Sequence, residues 1–304
     1  MKRVLLAGML TGFAMTTAGA QGVVGRRETT FNISEKIASG GWLRLASPNG
    51  DITISEGSSD KIEIRAEKVL RRGSVEDVGF VVHRSSDELV VCAVYDNEDE
   101  CDSDGSYHSN RDGWRRWRNG GQPRVNFTVH IPAGVRVKAG SGNGDVSITG
   151  GGNEVTASTG NGRVNVSGTS GEVNASTGNG RVTVEGAKGP VQASTGNGDV
   201  RVTTSLGPVT ASSGNGDIDV SMDKLEATRS MEFSTGNGRI VITVPDDFGA
   251  ELDGNTGSGS ISSDFPIQVR GRLNPTRIRG TIGKGGGRLV MNSGNGNLEI
   301  RKRA

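Results

Sequence analysis

Two aspartates with regular spacing are the first residues of this chain that suggest chemistry. Asp199 and Asp217 each directly follow a Gly-Asn-Gly tripeptide, and they lie 18 residues apart. Two carboxyl groups about 5 Å apart form the catalytic pair of retaining glycosidases. However, arginine takes the same position in other copies, at Arg163, Arg181 and Arg239, and catalytic carboxylates need a desolvated pocket. The pattern therefore favours structural charge pairing, and we predict no catalytic residues and no enzymatic activity.

Acidic residues also raise the question of a calcium site. Glu100, Asp102, Asp104 and Gly105 are similar to the start of an EF-hand loop, but Arg111 stands where the closing glutamate is required. Calcium-binding β-rolls place an aspartate two residues after the last glycine of their repeat. Here the charged residue follows glycine directly and is arginine in half of the regular corners. Because arginine cannot bind calcium and the histidines show no ligand spacing, we predict neither a metal site nor a cofactor.

The segment WRRWR concentrates residue types that are frequent in binding sites. Tryptophan and arginine are strongly enriched in interaction hot spots, and only 4% of this chain is aromatic. One interpretation is a solvated loop folded onto the acidic segment before it; the other is contact with an envelope protein, a glycan or a lipid head group. The net charge of +1 gives no general attraction to nucleic acid, which we do not expect as a partner. The candidate binding residues are Trp114, Arg115, Arg116, Trp117 and Arg118.

A repeated Gly-Asn-Gly corner precedes the charged residues discussed above, such as Asp199 and Asp217, and must determine their positions. The first five central asparagines are separated by four steps of 18 residues, and the later steps are longer. The tripeptide is degenerate around Ser258, and the sequence SPNGDITI around Asn49 is an outlying copy. A fixed period is the signature of a repeat architecture. The structural corner residues are Asn143, Asn161, Asn179, Asn197, Asn215, Asn237 and Asn295.

Each 18-residue unit predicts two short strands. Val173 and Ala175 alternate with polar residues before the corner, as do Val182 and Val184 after it, and this alternation indicates half-buried strands. A meander of hairpins would use Asn-Gly as a type I′ turn, whereas a β-solenoid would stack each strand on its equivalents in adjacent units. The constant period, the small alanine at a repeated inward position and the variable second turn favour the solenoid.

Stacking would give the corner residues a role. Equivalent residues in adjacent coils lie about 4.8 Å apart, so the asparagines can form a ladder of amide hydrogen bonds. The flanking glycines permit the backbone angles of the corner. The residues after the corners would form opposite-charge neighbours, which are Asp145 over Arg163, Arg181 over Asp199, and Asp217 over Arg239.

The start of the chain predicts export. A basic start is followed by an apolar run from Val4 to Met15 and by small residues at Ala18 and Ala20, as in a signal peptide cleaved after Ala20. The run is shorter than the roughly 20 residues that a transmembrane helix needs, and no later segment is apolar enough to span a membrane. We therefore expect a periplasmic or surface protein.

The exported chain is expected to be one elongated domain. Residues 21–135 show irregular strand patterns with an acidic and then basic insertion at residues 96–122, and residues 136–304 carry the regular repeat. Irregular coils are expected at the end of a stack because an uncapped end exposes sheet and core. In an oxidising compartment Cys92 and Cys101 either form a local disulfide or remain free thiols.

The corner sequences GNGDV and STGNGRV and the closing block NPTRIRGTIGKGGGRLVMNSGNGNLEI carry a family resemblance. From roughly Trp42 to Ile300 the chain resembles the bacterial DUF4097 family, whose members are often labelled adhesins. The resemblance implies an all-β, solenoid-like envelope protein, and it brings no catalytic residues.

Together these patterns predict an all-β solenoid of stacked 18-residue, two-strand coils with irregular N-terminal capping coils. Its expected function is non-enzymatic binding or scaffolding at the envelope, because a repeat stack offers an extended surface to a partner. Two alternatives stay open. One is a structural protein that self-assembles through its end coils, and the other is a glycan-processing β-helix enzyme.

Overall fold

The computed structural model describes residues 22–70, 73–95, 99–108, 123–224, 229–271 and 274–303. The predicted signal peptide, residues 1–20, and the segment Trp114–Arg118 lie outside these ranges. The described chain forms 27 strands, one 3-10 helix and no α-helix. The strands build a 13-stranded sheet, called sheet A, a 12-stranded sheet, called sheet B, and a separate two-stranded hairpin.

The N-terminal part contains the 3-10 helix, Val75–Asp77. Its nine strands are β1 (Thr30–Glu35), β2 (Trp42–Asn49), β3 (Ile52–Glu56), β4 (Ile62–Val69), β5 (Gly79–Arg84), β6 (Glu88–Val94), β7 (Glu100–Cys101), β8 (Tyr107–His108) and β9 (Arg124–Ile131).

The regular coils follow, each with one strand in sheet A and one in sheet B. Their strands are β10 (Arg136–Asn143), β11 (Val146–Thr149), β12 (Glu154–Asn161), β13 (Val164–Ser167), β14 (Glu172–Asn179), β15 (Val182–Ala187), β16 (Val191–Asn197), β17 (Val200–Thr204), β18 (Val209–Asn215) and β19 (Ile218–Met222).

The C-terminal part is less regular. Its strands are β20 (Met231–Asn237), β21 (Ile240–Val244), β22 (Ala250–Ser258), β23 (Ile261–Ser263), β24 (Ile267–Val269), β25 (Arg277–Ile282), β26 (Arg288–Asn295) and β27 (Leu298–Lys302).

Equivalent strands of successive coils pair in parallel and in register. Val155 lies opposite Val173 in sheet A, and Val164 lies opposite Val182 in sheet B. These valines are fully buried between the two sheets, where β-branched side chains pack well. The predicted β-solenoid is therefore confirmed, and the hairpin meander is wrong because each coil pairs with the coils above and below it.

The N-terminal end is closed by irregular coils, as predicted. Strands β2 and β3 stack on the first regular coil, formed by β10 and β11, and β6 and β9 stack on β2 and β3. We call the coil formed by β6 and β9 the capping coil. Beyond it, β5 runs antiparallel to β6, β4 antiparallel to β9, and β1 antiparallel to β4.

At the other end the stacking order departs from chain order. The last coil, β26 and β27, lies between the coil of β20 and β21 and the coil of β22 and β23. Asn295 therefore stacks on Asn237, and Ser258 stacks on Asn295. Because the last coil offers the same parallel register to the coils on both sides, an inserted coil fits as well as an appended one, and the interval between corners does not distinguish the two orders.

Candidate binding site at the end of the corner edge

We call the side of the stack that carries the Gly-Asn-Gly tripeptides the corner edge. Six of the corner asparagines donate a hydrogen bond from Nδ2 to Oδ1 of the asparagine in the preceding coil of the stack, at 2.7 to 2.9 Å, whereas Asn143 Nδ2 donates to the Pro48 carbonyl at 3.5 Å. Seven asparagines in the spatial order of the coils form this ladder, and all of them are exposed. They are Asn143, Asn161, Asn179, Asn197, Asn215, Asn237 and Asn295.

A second ladder of hydroxyl groups lies inside the same corner. Thr159 and Thr177 are each 5% exposed, and their Oγ1 atoms donate to the carbonyl oxygens of Gly144 and Gly162 at 2.8 and 2.9 Å. Serine or threonine makes the same contact in the neighbouring coils. Strand alternation places these residues inward, but their bonding depends on the distance between coils, which sequence alone does not supply.

The charged residues after the corners are bonded along the stack. Arg181 Nη2 lies 3.1 Å from Asp199 Oδ2, and Arg239 Nη2 lies 3.5 Å from Asp217 Oδ2. Asp145 Oδ1 accepts the backbone N–H of Arg163 at 2.7 Å. The Asp199 and Asp217 side chains are 44% and 48% exposed. Both carboxylates thus face solvent and have arginine partners. This arrangement is typical of charge pairs that fix the register between coils and not of catalytic carboxylates.

The capping coil carries the insertion at the position of the corner asparagine. Ala46 pairs with Cys92 and Ile52 pairs with Phe127, so Tyr95 and Arg124 both correspond to Asn49. The chain leaves the corner edge after Tyr95 and returns before Arg124. Residues 96–122 therefore replace the tip of one corner, at the N-terminal end of the asparagine ladder.

Hydrogen bonds hold the base of this insertion. Tyr95 Oη donates to the Asn49 carbonyl at 3.1 Å, and the Tyr95 N–H donates to Asp99 Oδ2 at 2.8 Å. Tyr107 Oη donates to the same Asp99 oxygen at 2.7 Å. Burial raises the pKa of the Tyr95 hydroxyl far above its usual value, so this donor keeps its proton.

The described part of the insertion folds over the outer face of sheet A. A disulfide joins the buried residues Cys92 and Cys101. Arg44 Nη1 and Lys138 Nζ donate to the Asp104 carbonyl at 3.2 and 3.0 Å. The hairpin of β7 and β8 is thus attached to the sheet at both of its ends.

An aromatic and basic cluster next to the hairpin was missed by sequence reasoning. The Trp42 ring lies between the guanidinium groups of Arg44 and Arg136, at 4.5 and 4.6 Å from the ring centroid. Cation–π contacts of this kind stabilise side chains at partly exposed sites. The only sequence signal is the alternation in WLRLAS, which places Trp42 and Arg44 on one face, whereas Arg136 is distant in sequence.

The binding residues predicted from WRRWR, Trp114 to Arg118, lie outside the described residues, and only the base of their insertion is placed. Within the described ranges no three His, Cys, Asp or Glu side chains are grouped to hold a metal ion. The same ranges contain no helix with the length and apolar character needed to cross a membrane.

Comparison with known proteins gives a family match over most of the chain and distant structural neighbours. The family model described as Toastrack DUF4097 matches residues 42–301. No curated protein matches significantly. A "putative cell adhesion protein" from Clostridium sporogenes ATCC 15579 is 9% identical, with 90% of this chain and 100% of that chain covered and a TM-score of 0.27. A "putative adhesin" from Bacteroides fragilis NCTC 9343 is 15% identical, with coverage of 91% and 98% and a TM-score of 0.37.

Proposed function

The chain belongs to the Toastrack DUF4097 family, and we propose that it is an exported, non-enzymatic envelope protein that binds or scaffolds a partner through residues 96–122. It would act in the periplasm or at the cell surface as one elongated domain comprising residues 21–135 and 136–304. The observation that carries the proposal is the position of the insertion, which opens the corner of the capping coil, whereas the asparagine ladder joins the corners of the regular coils. Cleavage of the signal peptide predicts a mature N-terminus at Gln21.

The anchoring of the insertion supports a binding role. A disulfide and the hydrogen bonds of Tyr95, Asp99 and Lys138 fix its base to a rigid stack. A loop on a rigid scaffold loses less entropy on binding than a free segment does. Tryptophan and arginine in Trp114–Arg118 then supply the residue types that dominate interaction hot spots.

A pull-down from envelope extract tests this role. The Trp114→Ala/Trp117→Ala double variant should recover less envelope material than the wild type while keeping its melting temperature. Leu206→Ala is the matched control, because Leu206 is a large, 46% exposed side chain far from the insertion. Equal recovery by the wild type and the double variant would contradict the proposal.

The fold offers little support for assembly through end coils. Antiparallel strands cover both sheets at the N-terminal end and sheet A at the C-terminal end. Among the described strands, the three-residue β23 alone leaves a parallel edge of a coil, and short edge strands are a common device against pairing between molecules. Light scattering of the purified chain should therefore show no concentration-dependent filaments.

The enzyme alternative has a separate test. Asp199 and Asp217 carry arginine partners on an exposed edge, so their carboxylates lack the desolvated setting that catalysis needs. The wild type should not hydrolyse any member of a broad glycan panel. Hydrolysis that is lost in the Asp199→Asn/Asp217→Asn variant would replace the binding role by an enzymatic one.

A further inference from the structure

A groove runs between the hairpin of β7 and β8 and the outer face of sheet A. Its volume is about 480 Å³, which is in the range of small-molecule sites. Gly140 and Ser158 form part of the floor, Tyr107 and Pro48 contribute apolar surface, and Lys138 lies at the side. The groove is therefore partly apolar, with a few polar groups directed into it.

Gly140 keeps the floor of this groove open. It belongs to an outward-facing row of sheet A that continues with Ser158 and Ser176 in the next two coils. A Cβ atom at Gly140 would meet only the Ser158 hydroxyl, at 3.3 Å. The repeat already accommodates serine stacked on serine in this row, at Ser158 and Ser176, so the fold does not require glycine at position 140.

The neighbouring Gly142 shows what a structurally required glycine looks like. A Cβ atom there would lie 2.4 Å from the Pro48 carbonyl oxygen, because adjacent coils approach closely at the corner. Gly140 has no such contact with backbone atoms. The absence of a side chain at position 140 thus keeps the groove open and is not required for stacking of the coils.

Lys138 supplies a positively charged group at the side of the groove. Lys138 Nζ donates to the Asp104 carbonyl at 3.0 Å, and no carboxylate within the described ranges forms an ion pair with it. The Asp104 carboxylate accepts the N–H and Oγ–H of Ser106 at 2.9 and 2.8 Å, and these bonds, together with the charges of Lys138 and Arg44, lower its pKa. An ammonium group with further donor capacity suits a carboxylate ligand.

We propose that this groove binds a carboxylate-bearing sugar unit of an envelope glycan. The open floor over Gly140 accepts a pyranose ring, the Ser158 hydroxyl can bond a sugar hydroxyl, Ser106 Oγ can accept a bond from another, and Lys138 can bond the carboxylate. The site rests on the proposed binding function and names its ligand class. Residues 109–122 are not needed for it.

Titration with oligogalacturonate, and with the same oligomer after full methyl esterification, tests the ligand class. The wild type should bind the carboxylated form and bind the ester at least about tenfold more weakly, since the ester cannot accept a charge-assisted bond from Lys138. Equal affinity for the two oligomers, no binding of either, or tighter binding of a polyglutamate peptide would each overturn the proposal.

Two variants locate the binding in the groove. Gly140→Ser should weaken binding about tenfold with an unchanged melting temperature, because serine is the residue that the repeat uses in this row. Lys138→Gln should lose the preference for the carboxylated oligomer. Ser176→Gly, in the same row but two coils from Gly140, is the control and should bind like the wild type.

The outcomes separate this site from the proposed function. If Gly140→Ser binds the carboxylated oligomer as tightly as the wild type, the groove is not the site. The pull-down with the Trp114 and Trp117 variants then still decides whether the chain binds envelope material through its insertion. Loss of oligomer binding in Gly140→Ser with unchanged pull-down by the tryptophan variants would instead support the groove and contradict the insertion.

Discussion

The regular corners and the corner of the capping coil occupy the same place in the coil but are held together differently. In the regular coils the corner is three residues long, and hydrogen bonds repeat from coil to coil. In the capping coil the equivalent corner is opened between Tyr95 and Arg124 and is fixed by a disulfide and by bonds that occur once. The difference teaches that the repeat needs a uniform corner only where coils stack on both sides.

A substitution that creates a steric clash at a regular corner should lower the free energy of unfolding more than any change in the cap. Gly180 has φ +152°, and a Cβ atom there would lie 1.9 Å from the Gly162 carbonyl oxygen. Gly180→Ala must push two coils apart, and we expect it to cost about 4 kcal/mol or to prevent folding.

Urea denaturation of Gly180→Ala and Gly57→Ala measures this cost. Gly57 has no atom within 4 Å of its added Cβ and lies outside the regular corners, so its variant should match the wild type. A stable, normally folded Gly180→Ala protein would show that the corner is more adaptable than the contact implies.

The uniform part of the molecule is also the part that sequence predicts well. The alternation in Glu172–Val184 and the constant spacing of the asparagines give the strands, their parallel stacking and the buried valines, because each depends only on local pattern and period. The insertion of the last coil at Asn295 is not predictable in this way, since its strands pair in the same parallel register with the coils on both sides.

The candidate site was predicted only in part for a related reason. The composition of WRRWR marks residues 96–122 as unusual, but the placement of the insertion at the Asn49 position depends on the pairing of β6 and β9 across distant sequence. The groove at Gly140 combines residues of four separate segments, which are β2, the hairpin of β7 and β8, β10 and β12. A single glycine between Ala46 and the first serine of this row is a sequence signal for it, although the signal becomes visible only once the register of the row is known.

Removing the disulfide tests how much this cross-link stabilises the capping coil, whose corner lacks the repeated hydrogen bonds of the regular coils. The Cys92→Ala/Cys101→Ala variant should lose about 3 kcal/mol, the value expected for a cross-link that closes a loop of this length. The loss should appear in the cap, since a repeat stack transmits stability mainly between neighbouring coils.

Hydrogen exchange monitored residue by residue checks this localisation. Amides of β5 to β8 should exchange faster in the double variant, while amides of β14 to β18 keep their protection. Uniformly faster exchange throughout the stack would mean that cap and repeat unfold as one unit.

A buried lysine in the cap predicts a pH dependence of the free energy of unfolding. Lys68 is 6% exposed, and burial lowers the pKa of its ammonium from 10.5 to about 8, with a contribution from Arg26 that Glu28 opposes. Its Nζ donates to four backbone carbonyls, including those of Gly25 and Val78, which favour the charged form and limit the shift.

Because the unfolded chain keeps its proton up to about pH 10.5, it binds more protons than the folded chain between pH 8 and 10.5. The free energy of unfolding of the wild type should therefore rise over this range by about 2 kcal/mol relative to Lys68→Met. Urea titrations of both proteins at pH 7 to 10.5 measure the difference. A constant difference would mean that the carbonyl groups hold the proton on Lys68.

Two buried threonines, one at the corner edge and one at the opposite turn, differ in whether their hydroxyl groups are hydrogen-bonded. Thr177 Oγ1 donates to the Gly162 carbonyl at 2.9 Å, whereas the buried Thr169 Oγ1, at the opposite turn, has no hydrogen-bond partner in the described structure. Thr177→Val should cost about 1 kcal/mol, and Thr169→Val should raise the free energy of unfolding by about 1 kcal/mol. Chemical denaturation gives both values, and equal costs would show that the hydroxyl ladder does not stabilise the corner.

Substitution of a ladder asparagine should change the free energy of unfolding least, although the repeated asparagine is the clearest feature of the sequence. Asn179 takes part in two ladder bonds of 2.9 Å, one to Asn161 and one from Asn197. Since these groups are exposed and water can replace the lost partners, Asn179→Ala should cost only about 0.5 to 1 kcal/mol. Asn165→Ala, at an exposed position on the outer face of the same sheet stack, is the control and should cost less. If Asn179→Ala costs more than Thr177→Val, the exposed asparagine ladder stabilises the corner more than the buried hydroxyl ladder does. The asparagine ladder would then be the main stabilising feature that the capping coil lacks because of its insertion.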